Sequence, residues 1–153
     1  MQERSVQHTT FVIERSYGAS PKRVFAAWAN QEAKAKWFPG PKLFDFRVGG
    51  REYHRQTHEG VTYTYDATYQ DIVPDQRIAF TYIVDRDETR LSVSVTTVEM
   101  KPEGTGTRLI YTEQGAFFDG TDKPEDREHG TRLLLDALDK ALQDELMLDE
   151  KIH

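Results

Sequence analysis

Between Val61 and Val73 the chain alternates cleanly. Tyr63, Tyr65, Ala67 and Tyr69 share one face of an extended strand, and Thr62, Thr64, Asp66, Thr68 and Gln70 share the other. A strand with one apolar-aromatic face and one polar face belongs to a sheet that is covered on one side and wet on the other. Antiparallel sheets are commonly built that way. Strand-like segments of the same kind surround it. Leu43, Phe44, Phe46 and Val48 run up to Gly49-Gly50, a hairpin signal, and the polar stretch after it turns at His58-Glu59-Gly60. Pro74-Asp75 leads into Arg77–Val84, a charged link (DRDETR) into Leu91–Met100, and a PEGTG turn into Thr107–Glu113. One more strand, residues 9–16, opens the chain.

Two helical regions interrupt or close this series. Ser20 is an N-cap residue, Pro21 falls where a helix tolerates proline, and Val24, Phe25, Trp28 and Ala29 recur at helical spacing. A shorter helical turn, Glu32 to Trp37, runs into Pro39-Gly40-Pro41, which must stop it. After Gly115 the pattern changes, and a polar loop leads to a long helix from about Pro124 to about Met147. Its apolar stripe is Leu134, Leu135, Leu138, Ala141, Leu142 and Leu146. The order is one strand, two short helices, about six antiparallel strands and one long helix. That helix is the only element long enough to cover the sheet, so the fold class is α+β.

Composition removes several function classes. With 153 residues the chain has room for one domain with a real core. The net charge is −6 and no basic run occurs, which argues against nucleic acid as a partner. There is no cysteine, hence no disulfide, thiolate metal site or cysteine nucleophile. The opening MQERSVQHTT has no apolar core of a signal peptide, and no stretch approaches a membrane span, so a cytoplasmic location is expected. No nucleophile elbow, phosphate-cradling loop or dinucleotide fingerprint occurs, and no cofactor is expected.

One segment breaks the pattern. In GGREYHRQTHEG neither alternating set is apolar: Glu52, His54 and Gln56 form one, Tyr53, Arg55 and Thr57 the other. Periodicity alone does not say which faces inward.

The ordered set of segments resembles the START-like, or SRPBCC, superfamily with its helix-grip (Bet v-like) fold. More narrowly, it resembles the family named after the activator of the ATPase of heat-shock protein 90. The likeness is carried by SPKRVFAAWANQEAKAKWFPGP, FRVGGREYHRQ, YDATYQDIVPDQRIAFTY (with Ala67 where glycine is usual), GTRLIYTEQG and EHGTRLLLDALDKAL. It covers roughly residues 9–146 of a single START-like domain spanning 1–153. The resemblance implies a curved sheet wrapped around the terminal helix, with a cavity between them. It also implies a phase that turns Glu52, His54 and Gln56 inward, together with Tyr63, Tyr65, Tyr69, Ser94, Thr96, Tyr111 and Glu113. The family often has histidine where Glu113 stands.

The candidate ligand-contacting residues are therefore Glu52, His54, Gln56, Tyr63, Tyr65, Tyr69, Thr96, Tyr111, Glu113 and, at the rim with Pro39-Gly40-Pro41, Trp37. The polar set is expected to face a solvent-filled cavity, because an unpartnered buried carboxylate is costly. Tyrosine rings would supply walls and hydroxyls, although core packing explains such residues equally. A metal site built from Glu52, His54, Glu113 or His129 lacks the helical His-x3-His spacing, and no metal is expected. His129 opens the long helix near the expected cavity mouth. The leading expectation is a binding protein for a hydrophobic, amphipathic or aromatic small molecule. The alternatives implied by the resemblance are a stress-related module stimulating a chaperone ATPase, and a cyclase- or hydrolase-type enzyme with His54 as base and Glu52 or Glu113 as acid. Relatives often form homodimers through sheet edges or loops.

Overall fold

The computed structural model describes residues 3–38 and 40–152, with side chains as far as Leu148. The strands are β1 (Val6–Tyr17), β2 (Leu43–Phe44), β3 (Arg51–His58), β4 (Val61–Val73), β5 (Arg77–Arg86), β6 (Thr89–Glu103) and β7 (Gly106–Phe118). The helices are α1 (Pro21–Ala29), α2 (Gln31–Lys34) and α3 (Pro124–Ile152). The seven strands form one antiparallel sheet in the order β1-β7-β6-β5-β4-β3-β2. This is the helix-grip arrangement. The long helix α3 lies across the face that carries the core, with Leu135, Leu138 and Leu142 buried against Ile13, Val98 and Leu109.

Local chemistry sets the short helices. The Ser20 hydroxyl accepts a hydrogen bond from Arg23 N at 3.4 Å, and Pro21 begins α1. Asn30 ends α1 and caps α2, its side chain accepting from Ala33 N at 3.0 Å. The abrupt restart at Asn30 turns α2 so that Lys34 is directed inward. Of the Pro39-Gly40-Pro41 stop expected after α2, Pro39 lies outside the described residues.

Several strands run a few residues beyond the sequence reading, as β1, β5 and β6 do, and two boundaries differ for a reason the side chains and turns supply. β7 runs on to Phe118 instead of ending at Glu113, because Gly115 is an in-register strand residue rather than a break. A Cβ there would sit 2.9 Å from Ser94 Oγ and 3.0 Å from a Phe117 ring carbon, so glycine answers a close approach. β2 is only two residues long instead of continuing to Val48. The chain closes instead into a turn in which Gly50 N donates to Arg47 O at 2.7 Å and Gly49 N to Tyr69 O at 2.8 Å, with Gly49 at φ +85°.

The β3–β4 register settles the phase of the polar hairpin. Glu52 pairs with Ala67 and His54 with Tyr65, and all four side chains point to the face that α3 covers. Tyr82, Ser94 and Glu113 continue the same face across the sheet.

Candidate functional site

α3 does not fill the whole concave face. Beneath its N-terminal half is a cavity of about 320 Å³. One wall is Tyr65, Phe80, Tyr82 and Val84 from β4 and β5, with Tyr111 from β7. The opposite wall is Arg127, Gly130, Thr131, Leu134 and Leu135 of α3. Trp28, Lys34, Trp37 and Phe38 close the inner end, and the exposed Asp126 marks the mouth. The rings interlock: Trp28 meets Trp37 edge-on at 4.7 Å, and Tyr65 lies 4.8 Å from Tyr82. A second hollow of about 200 Å³ lies on the other side of Phe38, Tyr65 and Val84, and it is lined by His54, Gln56, Tyr63 and Thr64.

The carboxylates expected to face a solvent-filled cavity are instead bound into two closed clusters. Glu52, 1% exposed, accepts from Lys34 Nζ at 2.6 Å and Tyr69 Oη at 2.5 Å through Oε1. Its Oε2 lies 2.6 Å from His54 Nε2. Burial alone would raise the Glu52 carboxyl, but its hydrogen bond with His54, the Lys34 charge and the bonds from Lys34 and Tyr69 bring it down to about 2. Lys34 goes the other way. Burial lowers its ammonium below the ordinary lysine value, against the opposing pull of Glu52. The asymmetry has a physical cause. Glu52 gathers three polar partners, whereas Lys34 has one carboxylate and is otherwise surrounded by the Phe38, Trp28, Phe44 and Trp37 rings at 5.0–5.9 Å.

The second cluster is centred on Glu113, which is fully buried. The Tyr82 hydroxyl stands 2.7 Å from both carboxylate oxygens, with Ser94 and Tyr111 hydroxyls at 3.1 Å. Arg127 completes it from α3, donating to Tyr82 Oη at 2.9 Å, to Ser92 Oγ at 2.9 Å and to Asp122 at 3.0 Å, with Glu113 Oε2 at 3.5 Å. Burial raises the Tyr82, Tyr65 and Tyr111 hydroxyls, and neighbouring negative charge adds to it, so all three stay protonated donors.

Of the ten candidate residues, Tyr65, Tyr111 and Trp37 line the main cavity. Glu52, Tyr69 and Glu113 are buried in the clusters described above, while Thr96 is buried on the same face of the sheet. His54 is buried between the Glu52 cluster and the smaller hollow. Gln56 and Tyr63, partners across the β3–β4 ladder, are exposed and belong to the smaller hollow alone. The solvent-filled setting expected for the polar set is thus corrected: the carboxylates are satisfied by cations of the chain itself. His129 is exposed. Among the described residues, no group of three or more His, Cys, Asp or Glu side chains could hold a metal ion.

Sequence reasoning missed Lys34, Phe38, Tyr82 and Arg127. Two of these had a signal. Tyr82 continues the alternation of Ile78 and Phe80, and Arg127 extends the α3 stripe back from Leu134 and Leu138 through Thr131. Lys34 had none, since its neighbour Lys36 has the same residue type and is exposed.

The sequence pattern of the family described as Activator of Hsp90 ATPase homolog 1-like protein matches residues 18–143. The chain belongs to this family. A solved structure, the Mll3558 protein of Rhizobium loti, is 51% identical, with a TM-score of 0.85 over 90% of this chain and 99% of that one. A protein of Rhizobium leguminosarum is 40% identical, with a TM-score of 0.87 over 94% and 99% of the two chains. One from Chromobacterium violaceum is 27% identical, with a TM-score of 0.74 over 86% and 94%. No curated protein matches. No helix is long and apolar enough to cross a membrane among the described residues.

Proposed function

We propose that the protein binds a small apolar or aromatic molecule in the cavity under α3. The observation that carries this reading is a hollow of about 320 Å³ walled mainly by aromatic rings and leucines. Its neighbouring carboxylates are already satisfied from within the chain. Such a space suits a mostly apolar ligand with few polar atoms. Paired carboxylates also shift support away from a cationic ligand, since Glu52 and Glu113 offer no spare charge. Support for the chaperone-module and cyclase- or hydrolase-type alternatives comes from family likeness alone, whereas the cavity is a feature of this chain.

The test uses the chain's two tryptophans, both of which line the cavity. Titration with toluene or indole should change their fluorescence saturably. Gly130 lines the cavity, and a Cβ added there meets nothing within 4 Å. Gly130→Phe should therefore occupy part of the space and weaken binding by on the order of tenfold or more. Unchanged affinity in a folded Gly130→Phe protein would place the ligand elsewhere.

A further inference from the structure

Lys34 does something that its ion pair alone does not require. Its side chain is 4% exposed, and it lines the inner end of the cavity. A lysine whose only task was to sit on a one-turn helical segment would extend into water, as Lys36 does two residues later. Here the amine is drawn inward among four aromatic rings, with Glu52 Oε1 at 2.6 Å and His54 Nε2 on the far oxygen of the same carboxylate. A desolvated amine beside a proton acceptor, opening on an apolar space, is the setting in which lysine becomes a nucleophile toward carbonyl carbon.

We propose that Lys34 captures carbonyl compounds covalently: an aldehyde or ketone on an apolar or aromatic body enters the cavity and condenses with Nζ. This rests on the reading of the cavity as a small-molecule site. The Lys34 ammonium passes one proton to Glu52 Oε1 and its lone pair attacks the carbonyl carbon, whose π electrons move to oxygen. A second proton moves from nitrogen to that oxygen, giving a carbinolamine. Glu52 then returns its proton to the hydroxyl, the C–O bond breaks with loss of water, and the nitrogen lone pair forms the C=N bond. Ammonium plus carbonyl becomes protonated imine plus water, with no electron gained or lost. The single positive charge is conserved, so the product keeps its ion pair with Glu52 and its position among the ring faces. The ligand arrives neutral, which suits a wall of Tyr65, Phe80 and Leu134.

The experiment incubates the whole protein with benzaldehyde and sodium cyanoborohydride, which reduces any imine to a stable benzyl amine, and maps the label by peptide mass spectrometry. Lys34 should be labelled ahead of the exposed Lys36 and Lys42, and excess toluene should suppress label at Lys34 while leaving Lys36 and Lys42 unchanged. In Lys34→Met the inner label should be lost. The toluene arm uses the unaltered protein, so it stands whether or not that variant folds. Saturable toluene binding with Lys34 unlabelled would overturn the capture and leave the cavity reading intact. Absence of both toluene binding and Lys34 label would overturn the two together. Label at Lys34 that toluene does not suppress would also overturn the proposal, because the aldehyde would then have reached the amine by a route other than the cavity.

Discussion

Lys34 and Glu52 show how a pair of oppositely charged residues can be buried with little net gain and yet be costly to break. Removing either leaves the other as an uncompensated charge in a nearly dry setting. Lys34→Met and Glu52→Leu should each cost about 3–5 kcal/mol, whereas the double substitution should recover much of that loss. Urea midpoints of the two single variants and the double variant measure the coupling. Acid tests the same site. The Glu52 carboxyl is held at about 2, below its ordinary 4.5, so its contribution is complete above pH ~4.5 and is lost as the pH falls through about 2. Stability should drop by on the order of 3 kcal/mol across that window, and Glu52→Gln should flatten the fall. At this scale the sequence was half readable. Glu52 and His54 could be singled out because a polar pair stood where a strand face should be apolar. Their partner Lys34 could not, because nothing in a four-residue helix says which of two lysines turns inward until Asn30 has set its direction.

Among the elements, α3 and β7 repay separate attention. The stripe of α3 was legible as core at Leu135, Leu138 and Leu142. Its first turns were harder: Arg127 continues the stripe through Thr131, but a charged residue and a glycine, Gly130, read as cavity lining only once the sheet beneath them is known to fall away. Gly130 lies inside the second turn of α3 with open space beside it, so Gly130→Ala should stabilise the protein by about 0.5–1 kcal/mol through helix propensity, read as a raised thermal midpoint. In β7 a glycine looked like an end and was a contact. Gly106 shows the same logic at the strand's start: a Cβ there would run into the Tyr17 carbonyl oxygen, where β1 finishes. Gly106→Ala should therefore destabilise, in contrast to Gly130→Ala, by about 1–3 kcal/mol as an overpacking effect. One denaturation series covering both variants reads the opposite signs.

For the molecule as a whole, the aromatic interior predicts an alkaline limit. Burial raises the hydroxyls of Tyr17, Tyr65, Tyr69, Tyr82 and Tyr111 above the ordinary value of 10.0. A folded-state value above the unfolded one gives stability that is complete below pH ~10 and is lost as the pH rises beyond it. Tyrosinate absorbance should accordingly show a cooperative step that coincides with loss of circular dichroism above pH ~10. A gradual titration with no unfolding would contradict the burial of these rings. The α+β architecture itself was legible because strand alternation, cap residues and a single leucine-striped helix all agreed. The cavity was expected through the family resemblance alone and could not be read from the residues themselves, since it is a shortfall of side-chain volume under one half of α3, and no residue encodes an absence.

The sheet order has a temporal consequence. β1 pairs along its full length with β7, about a hundred positions later in the chain, so the earliest strand to be synthesised is the one that must wait longest for a neighbour. Until β7 emerges from the ribosome, Phe11 and Ile13 have no ladder to join, and a nascent chain stalled before Gly106 should expose them to any chaperone that samples unpaired apolar strands.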